Sequence, residues 1–220
     1  MESKRVLSLD VSTKTGWAIA ISSGDGIKLE NYGTLDQIHQ PEGNYPSTYI
    51  IWAYDIFKEI QKLIDKFEPD VLVIEETSKG SKNAMSQKIL EFSHFLLAEY
   101  ITNHNIESVY IMTEQWRREI GCKMNDKEKL RNKEVRAYKK KNKTVLAYDI
   151  NGKRIGIIGR KHINIRRINE IFADQLREPL IRKSEDQADA LGLLACYHMR
   201  RSKTNKSKEV SMEDLIGDKI

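Results

Sequence analysis

Val6-Leu7-Ser8-Leu9-Asp10-Val11 is an apolar run interrupted by a carboxylate. A second run, Val71-Leu72-Val73-Ile74, closes on Glu75, and a third acidic feature opens an Ala/Leu-rich segment, Ser184-Glu185-Asp186-Gln187-Ala188-Asp189-Ala190-Leu191. A carboxylate at the inner end of a strand costs several kcal/mol if left unpaired, so it normally meets a cation. Carboxylates converging from separate segments form a hard-oxygen cage suited to Mg²⁺ or Mn²⁺. The fold is therefore expected to bring Asp10, Glu75, Asp186 and Asp189 together.

The neighbouring segments can be placed around these runs. Residues 5–11 predict a strand, Ser12 to Gly16 a turn, Trp17 to Ser22 a second strand and Ile27 to Leu35 a third, with Ser23-Gly24-Asp25-Gly26 as the hairpin loop. From Ser47, an expected N-cap, apolar residues recur at Ile50, Tyr54, Phe57, Ile60, Ile64 and Phe67, the spacing of a helix. Pro69-Asp70 precedes the strand 71–74; a helix at about 84–102, a strand at 108–112 and a helix at 114–120 follow. The order β-β-β-α-β-α-β predicts an α/β fold: a mixed five-stranded sheet, three strands antiparallel and then parallel additions, flanked by helices. Helical spacing resumes at Ile165, Ile168, Phe172 and Leu176, and Ser184 with Gln187 predicts a capping box for the last helix.

Charge is unevenly distributed. The chain of 220 residues carries 37 Lys and Arg against 32 Asp and Glu. Between Arg117 and Lys143 stand twelve basic and four acidic residues, so the rest of the chain is slightly acidic. This stretch leads into a run containing Asn151-Gly152, a strong hairpin signal. Residues 122–159 are thus expected to form a basic helix and hairpin inserted into a domain spanning 1–200, with 201–220 as a polar tail. Two cysteines, Cys122 and Cys196, offer neither a disulfide framework nor paired metal-ligand spacing. No secretory segment or membrane-length apolar run is present, so the expectation is a cytoplasmic protein that does not enter a membrane. An acidic cage on a chain with a concentrated basic stretch points to metal-dependent hydrolysis of nucleic acid.

Asp186 and Asp189 lie three apart and face one side of their helix, whose small residues allow close packing on the sheet. Glu185 has the simpler role of an acid favouring the helix N-terminus. Successive strand residues point to opposite faces, so only one of Glu75 and Glu76 enters a given site, and the pattern alone does not choose between them. Two divalent ions about 4 Å apart activate water and stabilise the leaving oxygen of a phosphodiester, which explains a set of acids without a His/Cys cluster.

Ser8-Leu9-Asp10-Val11-Ser12, Val73-Ile74-Glu75-Glu76 and Asp186-Gln187-Ala188-Asp189-Ala190-Leu191 resemble the motifs of the RuvC family of Holliday junction resolvases. Glu114-Gln115-Trp116-Arg117 resembles an element of the family's phage-type branch. The resemblance implies an RNase H-like fold and a homodimeric endodeoxyribonuclease that nicks four-way, and potentially other branched, DNA junctions in a bacterial or phage-infected cell. It implies two Mg²⁺ ions per site, replaceable by Mn²⁺, with Asp10 bridging, Glu75 rather than Glu76 as second ligand, and Asp186 and Asp189 completing the set. Lys161 resembles a family lysine near the scissile phosphate. The chain departs from bacterial members at Val11-Ser12, where they show Pro-Gly, and in the 122–159 insertion.

Lys79 and Lys82, in the loop after Glu75, are candidate DNA contacts, as are Arg117 and Arg118. Trp116 is a candidate for DNA contact or for the core. His198 is expected to be structural; His39, His94, His104 and His162 form no constellation. The second helix, with Phe92, Phe95, Leu96 and Tyr100, has apolar surface enough for core and dimer interface. Three alternatives remain open: a silent branched-DNA-binding protein, an RNase H requiring Glu59 on the first long helix, and an actin-like ATPase, for which a second domain is lacking.

Overall fold

The computed structural model describes residues 1–77, 84–143, 147–148 and 154–217. Strands β1 (Lys4–Asp10), β2 (Gly16–Ser23) and β3 (Gly26–Thr34) form an antiparallel meander. Helix α1 (Ser47–Phe67) crosses to β4 (Val71–Glu76), and α2 (Ala84–His104) crosses to β5 (Glu107–Met112). Both later strands add in parallel, giving the sheet order β3-β2-β1-β4-β5. The α/β mixed sheet expected from the element order is therefore present, with three antiparallel strands followed by parallel ones and helices on both faces.

The middles of the central strands are apolar except for Ser8, because both of their faces are covered. Leu7, Leu9, Ile19, Leu72 and Ile74 point toward α1 and α2, with Ile56, Ile60 and Leu97 among their neighbours in the core. Val6, Ala18, Ala20, Val71 and Val73 point the other way, toward α3 (Thr113–Glu119), α5 (Arg160–Ile171) and α6 (Glu185–Gly217). Each fully buried Leu or Ile contributes about 1.5–3 kcal/mol, so this two-sided packing outweighs any local preference of the chain.

The α6 face holds small residues, and they set how close the helix lies. The buried Ser8 hydroxyl donates to the Ala190 carbonyl at 2.8 Å, joining the central strand to α6. A Cβ on Gly16 would stand 2.0 Å from the Asp186 carbonyl oxygen, and one on Gly192 would stand 2.4 Å from the Trp116 ring. No side chain fits at either crossing, so Gly16 lets α6 lie close on β2 and Gly192 lets it lie close on Trp116 of α3.

Several boundaries differ from expectation. Ser47 is the first residue of α1 and not its cap; its hydroxyl donates to the Asn44 carbonyl at 3.2 Å. Helix α1 stops where Glu68 adopts a left-handed φ of 43° just before Pro69. Helix α5 ends at Ile171, short of Leu176. A 3-10 turn (Arg182–Ser184) takes the place of the Ser184–Gln187 capping box, and the Ser184 N–H donates to the Ile181 carbonyl at 2.8 Å. The segment after Arg201 continues α6 as far as Gly217. Between α3 and α5 lie α4 (Asp126–Lys141) and a two-stranded ribbon of β6 (Ala147–Tyr148) and β7 (Arg154–Ile155). The Asn151-Gly152 turn lies outside the described residues. Among the described residues no helix is long and apolar enough to cross a membrane.

Candidate active site

Parallel pairing of β1 with β4 matches Leu9 to Ile74, so Asp10 and Glu75 leave the sheet side by side at the next position. Alternation along each strand then decides their direction. Leu9 and Ile74 face α1 and α2, so Asp10 and Glu75 face α6. Alternation turns Glu76 away from the cluster, and with Thr77 it lines a groove of about 610 Å³ at the ends of β4 and β5, whose other wall is α3 with Thr113 and Arg117. The choice between Glu75 and Glu76 is thus a matter of strand register. On α6, Asp189 turns toward the same point. One carboxylate oxygen from each of Asp10, Glu75 and Asp189 lies within 4.8 Å of the others.

The three acids are individually oriented. Thr113, at the start of α3, donates its hydroxyl to Oε1 of Glu75. Glu75 Oε2 is buried and makes no hydrogen bond; the buried indole N–H of Trp116 faces this carboxylate but stands outside hydrogen-bond geometry. Asn164 of α5 donates to Oδ1 of Asp189 at 2.9 Å, and Arg117 of α3 lies 3.1 Å from Oδ2.

Burial raises the pKa of all three, and repulsion by neighbouring acids adds to it for Asp10 and Glu75. Asp10 stands well above the usual carboxylate range, first because it is desolvated and then because Glu75, Asp189 and Asp186 are close; Arg117 opposes this. Desolvation likewise raises Glu75, against the Thr113 hydrogen bond. Asp189 is raised by desolvation, against Arg117 and the Asn164 hydrogen bond. Three such groups ionise together only beside concentrated positive charge. Among the described residues Arg117, with Lys161 further out, supplies too little of it, whereas an oxygen-only donor set with an unpaired buried acceptor at Glu75 suits a hard divalent cation.

Asp186 does not join the cluster. It stands at the mouth, where Lys14 lies 4.0 Å away, and its charge is felt by Asp10. The rotation of α6 that sends Asp189 inward carries its first turn toward the β1–β2 turn. Trp116 is core, with no exposed surface, and contacts Gly192; it is not available to DNA. Arg117 is directed inward to Asp189, while Arg118 and Arg160 line the groove beside α3. Lys161 pairs with Glu185 near the mouth and is close enough to lower the pKa of Asp189 and Asp186. Lys79 and Lys82 lie outside the described residues. The His198 ring is 3.0 Å from the Ser22 hydroxyl, a structural contact. Glu59 sits on α1, across the sheet from the cluster, and pairs with Lys62 at 2.6 Å.

Sequence reasoning missed Thr113, Asn164, Lys14 and Gly16. Only Gly16 left a trace, as the glycine ending the turn after Asp10; the polar residues show no pattern that separates them from surface positions.

No protein-family model matches the sequence, and no curated protein does. Solved structures do match. The Thermus thermophilus RuvC in complex with Holliday junction substrate superposes with a TM-score of 0.55 at 10% identity, covering 90% of this chain and 95% of that one. The yeast mitochondrial Holliday junction resolvase gives 0.55 at 14% identity, with coverage of 94% and 84%. The fowlpox virus resolvase in complex with Holliday junction DNA gives 0.50 at 13%, with coverage of 89% and 97%. At these identities the likeness is one of fold, and the fold of this chain is that of the RuvC-type, RNase H-like resolvases.

Proposed function

We propose that this chain is a divalent-metal-dependent endonuclease that cuts branched DNA, four-way junctions foremost. The observation carrying this reading is the convergence of Asp10, Glu75 and Asp189 from two strands and a helix into one partly buried oxygen cage. The fold shared with junction resolvases supports the substrate class. In this reading the three carboxylates hold Mg²⁺ or Mn²⁺, with Asp186 at the mouth available to a second ion. A cation held there stabilises charge on the phosphate and supplies a nucleophile at neutral pH.

The protein's own groups position the rest. Thr113 fixes one oxygen of Glu75 and leaves the other to face the cage. Asn164 holds Asp189. Lys161, exposed at the mouth, is placed to neutralise a phosphate oxygen, and Arg118 and Arg160 bind the backbone beyond it. The outward-facing Phe95 of α2, with Tyr110 and Met112 of β5, supports a two-fold dimer presenting two sites to opposed strands. The location of Glu59 across the sheet speaks against an RNase H arrangement.

The test is incubation of the protein with a synthetic four-way junction, a linear duplex and an RNA–DNA hybrid, with Mg²⁺, Mn²⁺ or EDTA. Paired nicks confined to the junction and absent in EDTA are expected. Binding without cleavage in either metal would instead identify a silent junction-binding protein.

A further inference from the structure

Helix α4 belongs to neither face of the sheet, yet it is held firmly. Asn125 and Glu128 form a reciprocal capping box at its start. Arg166 of α5 donates to Glu128 at 2.9 Å and to the Lys123 carbonyl at 2.8 Å. The Asn132 side chain bonds both backbone groups of Ile158, accepting at 2.8 Å and donating at 2.9 Å, and Val135 is buried beside it. The docked face is therefore that of Glu128, Asn132 and Val135.

On the adjoining exposed flank stand Lys129, Lys133, Arg136 and Lys140. Their spacing of four, three and four residues aligns them in one row. Lys129 has an exposed partner in Asp126 at 2.9 Å; among the described residues no carboxylate pairs with the other three. A row of one sign on a helix is self-repelling. At 1.5 Å per residue it spans about 16 Å, and a DNA strand places a phosphate every 3.4 Å or so along the duplex axis. The row also has a path to the acidic cage. Arg166, which anchors α4, lies two residues from Asn164, which holds Asp189. Arg117, Arg118, Lys123 and Arg160 line a groove of about 260 Å³ between α3 and α5.

We infer that Lys129, Lys133, Arg136 and Lys140 form a phosphate-binding rail for a duplex arm of the DNA substrate. The rail rests on the nuclease reading for its substrate but is separate from the cutting chemistry. It adds affinity that is independent of base sequence and strongly dependent on salt.

The test replaces all four by Gln, which keeps helix propensity, and measures fluorescence anisotropy of a labelled four-way junction and a linear duplex in EDTA across a KCl series. Each lost phosphate contact lowers the slope of log affinity against log salt by about 0.9, so a fall of about 3 to 4 is expected for both DNAs. Single-turnover cleavage at saturating junction should stay within about twofold of the parent, on the order of 0.4 kcal/mol in barrier. A second variant, Lys127→Gln with Arg131→Gln and Lys141→Gln, removes charge from the other flank and should change the slope by less than one. An unchanged slope in the first variant, or an equal loss per charge in the second, overturns the rail. A parent protein that binds both DNAs with this slope pattern but never cuts refutes the nuclease reading and leaves the rail standing. A parent that binds no DNA refutes both.

Discussion

The Arg117 guanidinium lies 3.1 Å from Asp189, and both side chains are about four-fifths buried. It is the cation that offsets the acidic cage from within, lowering the pKa of Asp10, Glu75 and Asp189 alike. Removing one member of such a pair leaves an uncompensated charge. Arg117→Met should therefore destabilise the metal-free protein by about 2–4 kcal/mol, roughly 4 to 16 °C in melting temperature. Mn²⁺ should restore more stability to this variant than to the parent, as thermal melts in EDTA and in Mn²⁺ will show. Equal shifts in both proteins would remove Arg117 from the electrostatics of the cage.

Strand parity separates two adjacent glutamates. Glu75→Gln should lower cleavage by about 10³-fold or more, the equivalent of several kcal/mol of transition-state stabilisation. Glu76→Gln, on the opposite face, should stay within about tenfold of the parent. Asp10→Asn should abolish cleavage with junction affinity intact, since Asp10 belongs to the partly buried cage and not to the exposed basic surface. Junction cleavage and gel-shift assays on the three variants check this. Full cutting by Asp10→Asn would remove that residue from the mechanism.

Gly16 exists for the approach of α6. A methyl group there meets backbone atoms of Asp186 at 2.0 and 2.4 Å, so no side-chain rotation relieves it. Gly16→Ala should cost at least the upper end of the roughly 1–3 kcal/mol typical of overpacking. It should also reduce cleavage more than binding, because Asp189 is carried on the displaced helix. Denaturant melts and single-turnover kinetics measure the two effects.

Glu119 of α3 accepts two hydrogen bonds from Arg200 of α6, both at 2.8 Å. This pairing holds its pKa at about 2, below the ordinary 4.5. A depressed carboxylate contributes stability that is complete above the ordinary value and lost as pH falls through the folded one. Glu119→Gln should cost about 1–2 kcal/mol at pH 7, allowing for the partly solvated pair. The difference from the parent should narrow between pH 4.5 and about 2. A pH-independent difference would show that the pair acts through packing alone.

Much of the architecture is legible in the sequence. The hairpin loop at 23–26, the helix from Ser47 to Phe67 and the parallel strands appear where periodicity puts them. What periodicity misplaces are ends: the helix after Arg201 continues through polar residues, and Leu176 keeps the helical spacing without the helix. Termini depend on local hydrogen bonds, which leave weaker marks than a buried face.

By itself the sequence determined the order of elements, the presence of acids at the inner ends of apolar runs, and the concentration of excess positive charge in one stretch. These follow from nearest neighbours along the chain, where hydrophobic spacing and charge are read directly. Only the tertiary structure decided that Glu75 and not Glu76 faces Asp10, that Asp186 stays at the mouth, that Trp116 is core and that Arg117 turns inward. Val71 to Ile74 is apolar on both faces, so it carries no alternation from which a direction can be read. The directions of those side chains come from strand register and from the rotation of α6, and both are set by packing between residues far apart in the chain.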